Sequence, residues 1–322
     1  MMNIPRLDSK TETEGMTTLE TNILATIEYF DLLDKPLTAA EVYFWLLSYN
    51  GDTSRVSFYE VKRALEDDAR LAEYIDRKHG VFFLRGREHL VEVRQARTRI
   101  SGQRFRRVRR FARLLQSAPF VKSLFLAGSV SISNSKDSSD IDFFVVTSRH
   151  RIWTARFFLT LLTHVRGIRR HGSKEANRMC LNHYVSEENL HRADQDVYAA
   201  HLYGTLIPLT SEDATLEDFH QANTWITQFY PHLKRQDHQF FRETKPQPIR
   251  RWGERWFSGP VGDAFEHALG SLQQAKIQQN PPSRPEKARV GVSDLELEFH
   301  PLPHGPRISQ QLEERLHKMS AR

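Results

Sequence analysis

Two short groups of residues, Gly128-Ser129 and Asp140-Ile141-Asp142, have the types and spacing best suited to chemistry in this sequence. An apolar run over 121–127 leads into the glycine, and a second apolar run, 141–146, opens within the other group. Both groups are therefore predicted to lie at the ends of buried strands. Because side chains alternate along a strand, Asp140 and Asp142 are expected to project from one face while Ile141 points to the core.

Two carboxylates so close on one face repel each other unless a cation lies between them. Hard oxygen ligands at an accessible edge suit Mg²⁺, which completes its coordination with water and substrate phosphates. A different interpretation makes Ser138-Ser139-Asp140 a polar turn at the start of a strand. That turn leaves Asp142 unexplained, because burying an unpaired carboxylate inside an apolar run is costly. The sequence thus predicts a magnesium site at Asp140 and Asp142.

The Gly128-Ser129 pair is predicted to bind phosphate. Gly128 has no Cβ, so a triphosphate can approach the backbone N–H groups at the end of its strand. Ser129 adds a hydroxyl, and a short helix beginning here would present further free N–H groups to an anion. A phosphate cradle beside a metal site is what phosphoryl and nucleotidyl transfer require, since both depend on positioning and charge neutralisation.

An apolar strand, Gly-Ser, a spacer of about ten residues and then Asp-apolar-Asp-apolar resembles the DNA polymerase beta-type nucleotidyltransferase superfamily. The resemblance implies transfer of a nucleoside monophosphate from an NTP, with ATP expected, to a hydroxyl, using two Mg²⁺ ions. The chain from Thr17 onward is also similar to bacterial proteins that join a winged helix, this core and a helical C-terminus. Those carry segments like 180–185 (CLNHYV) and 298–300 (EFH).

Active members of the superfamily carry a third carboxylate on a following strand. In the strand predicted over 179–185, the matching position is Asn182, which offers an amide oxygen but neither charge nor base. Alternation predicts that Cys180, Asn182 and Tyr184 share one face and that His183 lies on the other. Groups that could substitute for the missing base are His183, Glu187, Glu188, Asp194 and Asp196.

Asn182 therefore keeps a second function open, a catalytically degenerate regulator that binds nucleotide or nucleic acid. The intact Asp140 and Asp142 oppose that alternative. A third function, RNA cleavage through an Arg-x₄-His motif, is suggested by the spacings in 178–183 and 166–171. Such spacings are expected by chance in a chain with so many arginines and histidines.

The composition places limits on partners and compartment. The net charge of +6 and a pI near 9.4 favour polyanionic partners, which include nucleotides and nucleic acid. A single cysteine, Cys180, excludes an internal disulfide and fits a reducing compartment, so a cytoplasmic location is expected. No apolar run is long enough to cross a membrane, so no membrane partner is expected. The hydroxyl acceptor is left open among a small molecule, a protein and an RNA.

Four segments are expected around the site, in an α+β fold with a mixed sheet. Residues 1–16 read as a disordered leader, and 17–87 as a winged-helix-like domain of three helices and a hairpin formed by 71–77 and 80–85. Its third helix carries acids that would repel DNA phosphates. Residues 88–240 form the nucleotidyltransferase core with a basic linking helix over 88–118. Residues 241–322 form a helical C-terminal region with proline-rich segments.

Within the core and the C-terminal region, apolar spacing predicts the remaining elements. Helices are expected over 151–165, 194–206, 216–229, 262–278 and 308–319. A single edge strand is expected over 290–300.

Overall fold

The computed structural model describes residues 16–172, 174–211, 213–233, 248–279, 289–300 and 304–320. Within these ranges the chain is an α+β protein with a six-stranded mixed sheet and a smaller three-stranded sheet, as the sequence predicts at that level. Fifteen residues of the predicted leader, 1–15, lie outside the described residues, as do Pro246, Pro281, Pro282 and Pro285 of the proline-rich segments.

The N-terminal unit consists of four helices and the three strands of the smaller sheet. Its strand order is β1-β3-β2, with antiparallel pairing throughout. The elements are α1 (Thr18–Leu32), β1 (Leu37–Thr38), α2 (Ala39–Phe44), α3 (Phe58–Asp67), α4 (Leu71–Tyr74), β2 (Ile75–Lys78) and β3 (Val81–Leu84).

Three helices of this unit begin with the same N-terminal motif, a capping box. Thr17, Thr38 and Ser57 each accept a hydrogen bond from a backbone N–H three residues on, and a glutamate there accepts the N–H of the capping residue. At α2 this capping box joins Thr38 and Glu41. The extended stretch predicted over 71–77 is wrong in its first half, which is the helical turn α4.

The larger sheet has the order β7-β4-β5-β6-β9-β8. Strand β5 pairs antiparallel with β4 and parallel with β6, and the other neighbours pair antiparallel. The strands are β4 (Val121–Ala127), β5 (Ile141–Thr147), β6 (Met179–Ser186), β7 (Ile207–Ser211), β8 (Arg289–Val292) and β9 (Glu296–His300).

Helices cover both faces of this sheet. They are α5 (Leu90–Leu115), α6 (Gly128–Ser131), α7 (Ile152–Val165), α8 (Val197–Gly204), α9 (Asp213–Ala222), α10 (Ile226–Phe229), α11 (Pro248–Trp256), α12 (Gly259–Gln279) and α13 (His304–Ser320).

Three sequence expectations for these elements need correction. Residues 290–300 form the hairpin of β8 and β9 rather than a single edge strand, because Ser293 bonds Glu296 and turns the chain. Strand β7 was not predicted at all, since its run of residues, IPLTS, is short and contains a proline. The helix expected over 216–229 is two helices, α9 and α10, which are separated at Asn223.

The sheet separates two hydrophobic clusters. Phe125, Phe144 and Val146 project from one face into a cluster that is continuous with α1 and α2 of the N-terminal unit. Phe143 and Val145 project from the other face toward α5, α7 and α12. The N-terminal unit therefore shares a hydrophobic core with one face of the sheet.

None of the helices in the described ranges combines the length and apolar character that crossing a lipid bilayer requires.

Candidate active site

Gly128 lies directly against the Asp142 carboxylate. Ala127 at the end of β4 pairs with Asp142 in β5, so the glycine that follows comes level with that side chain. Gly128 has a φ of +65°, and a Cβ placed on it would lie 2.8 Å from Oδ2 of Asp142. The left-handed backbone favours glycine here, and any larger residue would require the Asp142 carboxylate to shift.

Asp140 and Asp142 lie together, as their spacing predicts. One carboxylate oxygen of each residue and the Sγ atom of Cys180 are all within 4.8 Å of one another. Burial is the main cause that raises the pKa of Asp142 to about 7; the Asp140 charge acts in the same direction, and Arg170 opposes both. Such crowding of carboxylates favours a bound cation.

Arg170 already forms an ion pair within this group. Its Nη1 donates to Oδ2 of Asp140 at 2.7 Å, and its Nη2 donates to Oε1 of Glu175 at 2.6 Å. The segment that carries it bonds to the start of β6, since Arg170 N donates to Met179 O and Met179 N donates to Ile168 O. Arg170 thus offsets part of the negative charge that a metal ion would otherwise meet.

Helix α5 holds the loop between Gly128 and Asp140. Ser101 accepts the backbone N–H of Ser135 at 2.9 Å, and Arg104 donates to the carbonyl of Asp137 at 2.8 Å. Arg104 is buried although it belongs to the basic helix, and burial lowers its pKa. Within the loop, the hydroxyls of Ser129 and Ser135 are 3.2 Å apart.

Asn182 occupies the position next to Asp142 that the resemblance assigns to a third carboxylate. Its Nδ2 donates to Oδ1 of Asp142 at 3.0 Å. Strand β6 carries a bulge here, because Cys180 pairs with Asp142 but His183, not Asn182, pairs with Phe144. The predicted strict alternation along this strand is therefore wrong, and Cys180 and His183 pair with residues that share one face of β5.

His183, Glu187, Glu188, Asp194 and Asp196, which were proposed as a substitute base, do not join the carboxylate pair. His183 is buried, with its ring on Phe144 and its Nε2 2.9 Å from Oε1 of Glu296. Glu187 and Glu188 follow the far end of β6, and Asp196 accepts the N–H of Ala199 to cap α8. Within the part of the chain that the structure describes, no third acid or histidine joins Asp140 and Asp142.

The Arg-x₄-His spacings do not form a catalytic pair at this site. Arg178 donates to the carbonyl of Gly167, and His183 is held by Glu296. His171 is exposed, and its ring lies 6.1 Å from that of His164.

The donor set suits one Mg²⁺ ion. Two carboxylates supply hard oxygen ligands, and the Asn182 amide can add a third oxygen if it turns. The Cys180 thiol is a poor ligand for Mg²⁺, and burial raises its pKa well above the ordinary value, so it stays protonated. Among the described residues, no further carboxylate is in place for the second ion that the resemblance implies.

Sequence reasoning missed Arg170, Arg104 and Ser101 as partners of the site. Arg170 belongs to a loop whose path depends on bonding to β6, which no local pattern reveals. Ser101 and Arg104 did carry a signal, because together with Val108 they continue the buried i, i+3, i+7 face of α5.

Comparison of the chain with protein-family models, with curated proteins and with solved structures finds no match.

Proposed function

We propose that this protein is a nucleotidyltransferase of the DNA polymerase beta type, which transfers a nucleoside monophosphate from an NTP to a hydroxyl. The observation that carries the proposal is the contact of Gly128 with Asp142. A glycine at the end of one strand leaves room above a carboxylate pair at the start of the next, so phosphates and acidic side chains can share one cation.

In the proposed reaction the acceptor oxygen bonds to the α-phosphorus, the bond from that phosphorus to the bridging oxygen of pyrophosphate breaks, and pyrophosphate leaves. The acceptor proton passes to water. Gly128 and Ser129 bind the triphosphate through backbone N–H groups and a hydroxyl. Asp140 and Asp142 hold Mg²⁺, which supplies charge neutralisation on the phosphates when bound. Arg170 positions Asp140 through their ion pair.

Two features favour a second candidate, a nucleotide-binding regulator without transfer activity. Asn182 provides no base, and the Arg170–Asp140 ion pair partly satisfies a metal ligand. In such a regulator, the N-terminal unit, which we propose to be a winged helix, responds to nucleotide binding by the core. Because α1 and α2 pack into the core of the sheet, we assign this unit to docking on the core rather than to DNA binding.

A transfer assay separates these two functions. The purified protein is incubated with Mg²⁺, each NTP labelled at the α-phosphate, and alcohol, protein and RNA acceptors in turn. The enzyme produces labelled acceptor, and Asp142→Asn or Asp140→Asn abolishes the product. A protein that binds MgATP in an Asp142-dependent manner but labels no acceptor supports the regulator. Equal labelling by the wild type and both variants excludes the assigned site.

A further inference from the structure

A cavity of about 460 Å³ opens beside the candidate active site at the start of β6. It lies where β6 and β9 separate, since β9 pairs only with residues 183–185 of that strand. Its walls come from α7, the 169–172 segment, β6, α12, β8 and β9. Cys180, Asn182 and Arg170 line it and also adjoin the carboxylate pair, so the cavity lies next to Asp140 and Asp142. The volume suits a small molecule.

Positive charge dominates the polar part of this cavity. Arg156, Arg169 and Arg170 line it, while its carboxylate, Glu175, is already paired with Arg170. Ile277, Val290 and Phe299 form an apolar wall. Helix α7 supplies Arg156, whose guanidinium lies over the ring of Phe299, 4.9 Å from its centroid, and donates to Gln273.

The positive charges of Arg156 and Arg169 repel each other across this cavity. Within the described ranges, no carboxylate is in ion-pair contact with either guanidinium. Burial lowers the pKa of Arg156, and the charge of Arg169 lowers it further. Two half-buried cations turned to one cavity are costly unless an anion binds between them. Guanidinium groups bind carboxylates and phosphates through paired hydrogen bonds.

The cavity and Gly128 lie on opposite sides of Asp142. Gly128 follows β4 on one side of β5, and the cavity lies beyond β6 on the other. In-line transfer requires the attacking oxygen and the leaving pyrophosphate to be on opposite sides of the α-phosphorus. With the triphosphate at Gly128, the acceptor therefore approaches from the β6 side.

We infer that this cavity is the acceptor site and that the acceptor is a small alcohol bearing a phosphate or carboxylate group, held by Arg156 and Arg169. Anion binding in this cavity is independent of the proposed function. Its role as the acceptor site rests on the proposed nucleotidyl transfer. A cationic amino alcohol is disfavoured by the same charges, and a volume of about 460 Å³ fits a small molecule better than a folded protein or an RNA.

The test is calorimetric titration of the full chain without Mg²⁺. Glycerol 3-phosphate, lactate, glycerol and glucosamine serve as phosphate-bearing, carboxylate-bearing, neutral and cationic probes. Wild-type protein is expected to bind one or both anions and neither of the others. Arg169→Gln is expected to weaken anion binding about tenfold or more, because one charge-assisted contact is lost. Arg169→Lys, which keeps the charge, is expected to retain part of it.

Two further variants complete the design. Arg166→Gln changes an exposed arginine that directly follows α7 and does not line the cavity, and it is expected to bind anions like the wild type. Asp142→Asn is expected to retain anion binding while losing MgATP binding, so failure of the proposed function appears separately.

Three results would overturn the inference. The wild type binds neither anion, Arg169→Gln binds the anions with the affinity of the wild type, or Arg169→Gln loses affinity for MgATP and not for the anions. The last result places the triphosphate, not the acceptor, in the cavity.

Discussion

At the scale of single residues, the candidate site holds charges that oppose folding. The folded state raises the pKa of Asp142 from its usual 3.8 to about 7, mainly through burial, so ionising this side chain disfavours the folded protein. Carboxylates of this kind are retained at sites where binding or catalysis needs them, at a cost in stability.

Asp142→Asn is therefore expected to separate stability from function. Because the neutral amide removes a buried charge, the melting temperature at pH 8 should equal or exceed that of the wild type, while Mg²⁺-dependent nucleotide binding should disappear. Calorimetric melting and nucleotide titration measure the two effects. A clear loss of stability together with unchanged nucleotide binding would show that Asp142 is a structural residue.

Gly128→Ala tests the close approach to Asp142. The added Cβ meets Oδ2 of Asp142 at 2.8 Å, and the left-handed backbone adds about 1–2 kcal/mol of strain. Gly86→Ala is the matched control, since Gly86 has a φ of +81° and nothing within 4 Å of the added Cβ. Gly128→Ala should lose at least as much stability in denaturant as Gly86→Ala, and it alone should lose MgATP binding. Loss of binding in both would point to a general effect of backbone strain.

Asn182→Asp restores the third carboxylate that the resemblance implies. The new carboxylate lies beside Oδ1 of Asp142, so it should destabilise the protein without metal and strengthen Mg²⁺ binding. Titration of Mg²⁺ followed by melting temperature measures both. Unchanged Mg²⁺ affinity would argue against a cation bound between Asp142 and this position.

The residue types and spacing around Asp140 and Asp142 were sufficient to predict that the two acids lie together at the strand end next to Gly128, where Asp142 makes the contact. They could not predict Arg170, which reaches Asp140 only because its loop bonds to β6. The bulge that places His183 opposite Phe144 could not be predicted from the sequence either, since it depends on the register with a neighbouring strand.

At the scale of elements, helix α7 depends on a residue from another helix. Its N-terminus has no side-chain cap of its own, and Glu266 of α12 accepts the N–H groups of Trp153 and Thr154, both at 2.8 Å. Helix α7 carries Arg156 and packs on β6, so this contact supports one wall of the cavity.

Glu266→Ala is expected to destabilise the protein by about 2–3 kcal/mol, because it leaves buried N–H donors unsatisfied. His267→Ala, at the exposed neighbouring position, should change stability by less than about 0.5 kcal/mol. Denaturant unfolding of both variants measures the difference. Equal stability of the two would mean that water replaces the glutamate at the start of α7.

Apolar periodicity predicted most of the long elements, including α5, α7 and α12, because their apolar faces are continuous in sequence. It failed for β7 and for the β8–β9 hairpin. These short strands are stabilised by pairing with distant strands rather than by local pattern.

At the scale of the whole molecule, the N-terminal unit is joined to the core by charge as well as by apolar contacts. Buried Lys35 and Arg94 of α5 both pair with Glu41, at 2.8 Å each. Although burial alone would raise it, these two cations lower the pKa of Glu41 to about 2, so the ionised carboxylate stabilises the folded state.

The stabilisation by Glu41 is expected to depend on pH. It should be complete above pH 4.5, the pKa of an unperturbed glutamate, and should disappear as the pH falls toward 2. Glu41→Gln should therefore cost about 2–3 kcal/mol at pH 7 and progressively less below pH 4.5. The exposed Glu66→Gln is the control. Urea unfolding at several pH values measures this difference, and a cost that does not change with pH would contradict the ion-pair explanation.

The most direct measurement of the central claim is the melting temperature of the full chain with ATP and with each other NTP, with Mg²⁺ or with a chelator. A ligand that binds only the folded state raises that temperature. We predict a rise with at least one NTP that requires Mg²⁺ and is absent in Asp142→Asn. A rise of equal size in Asp142→Asn, or no rise with any NTP, would contradict a nucleotide site at Gly128 and Asp142.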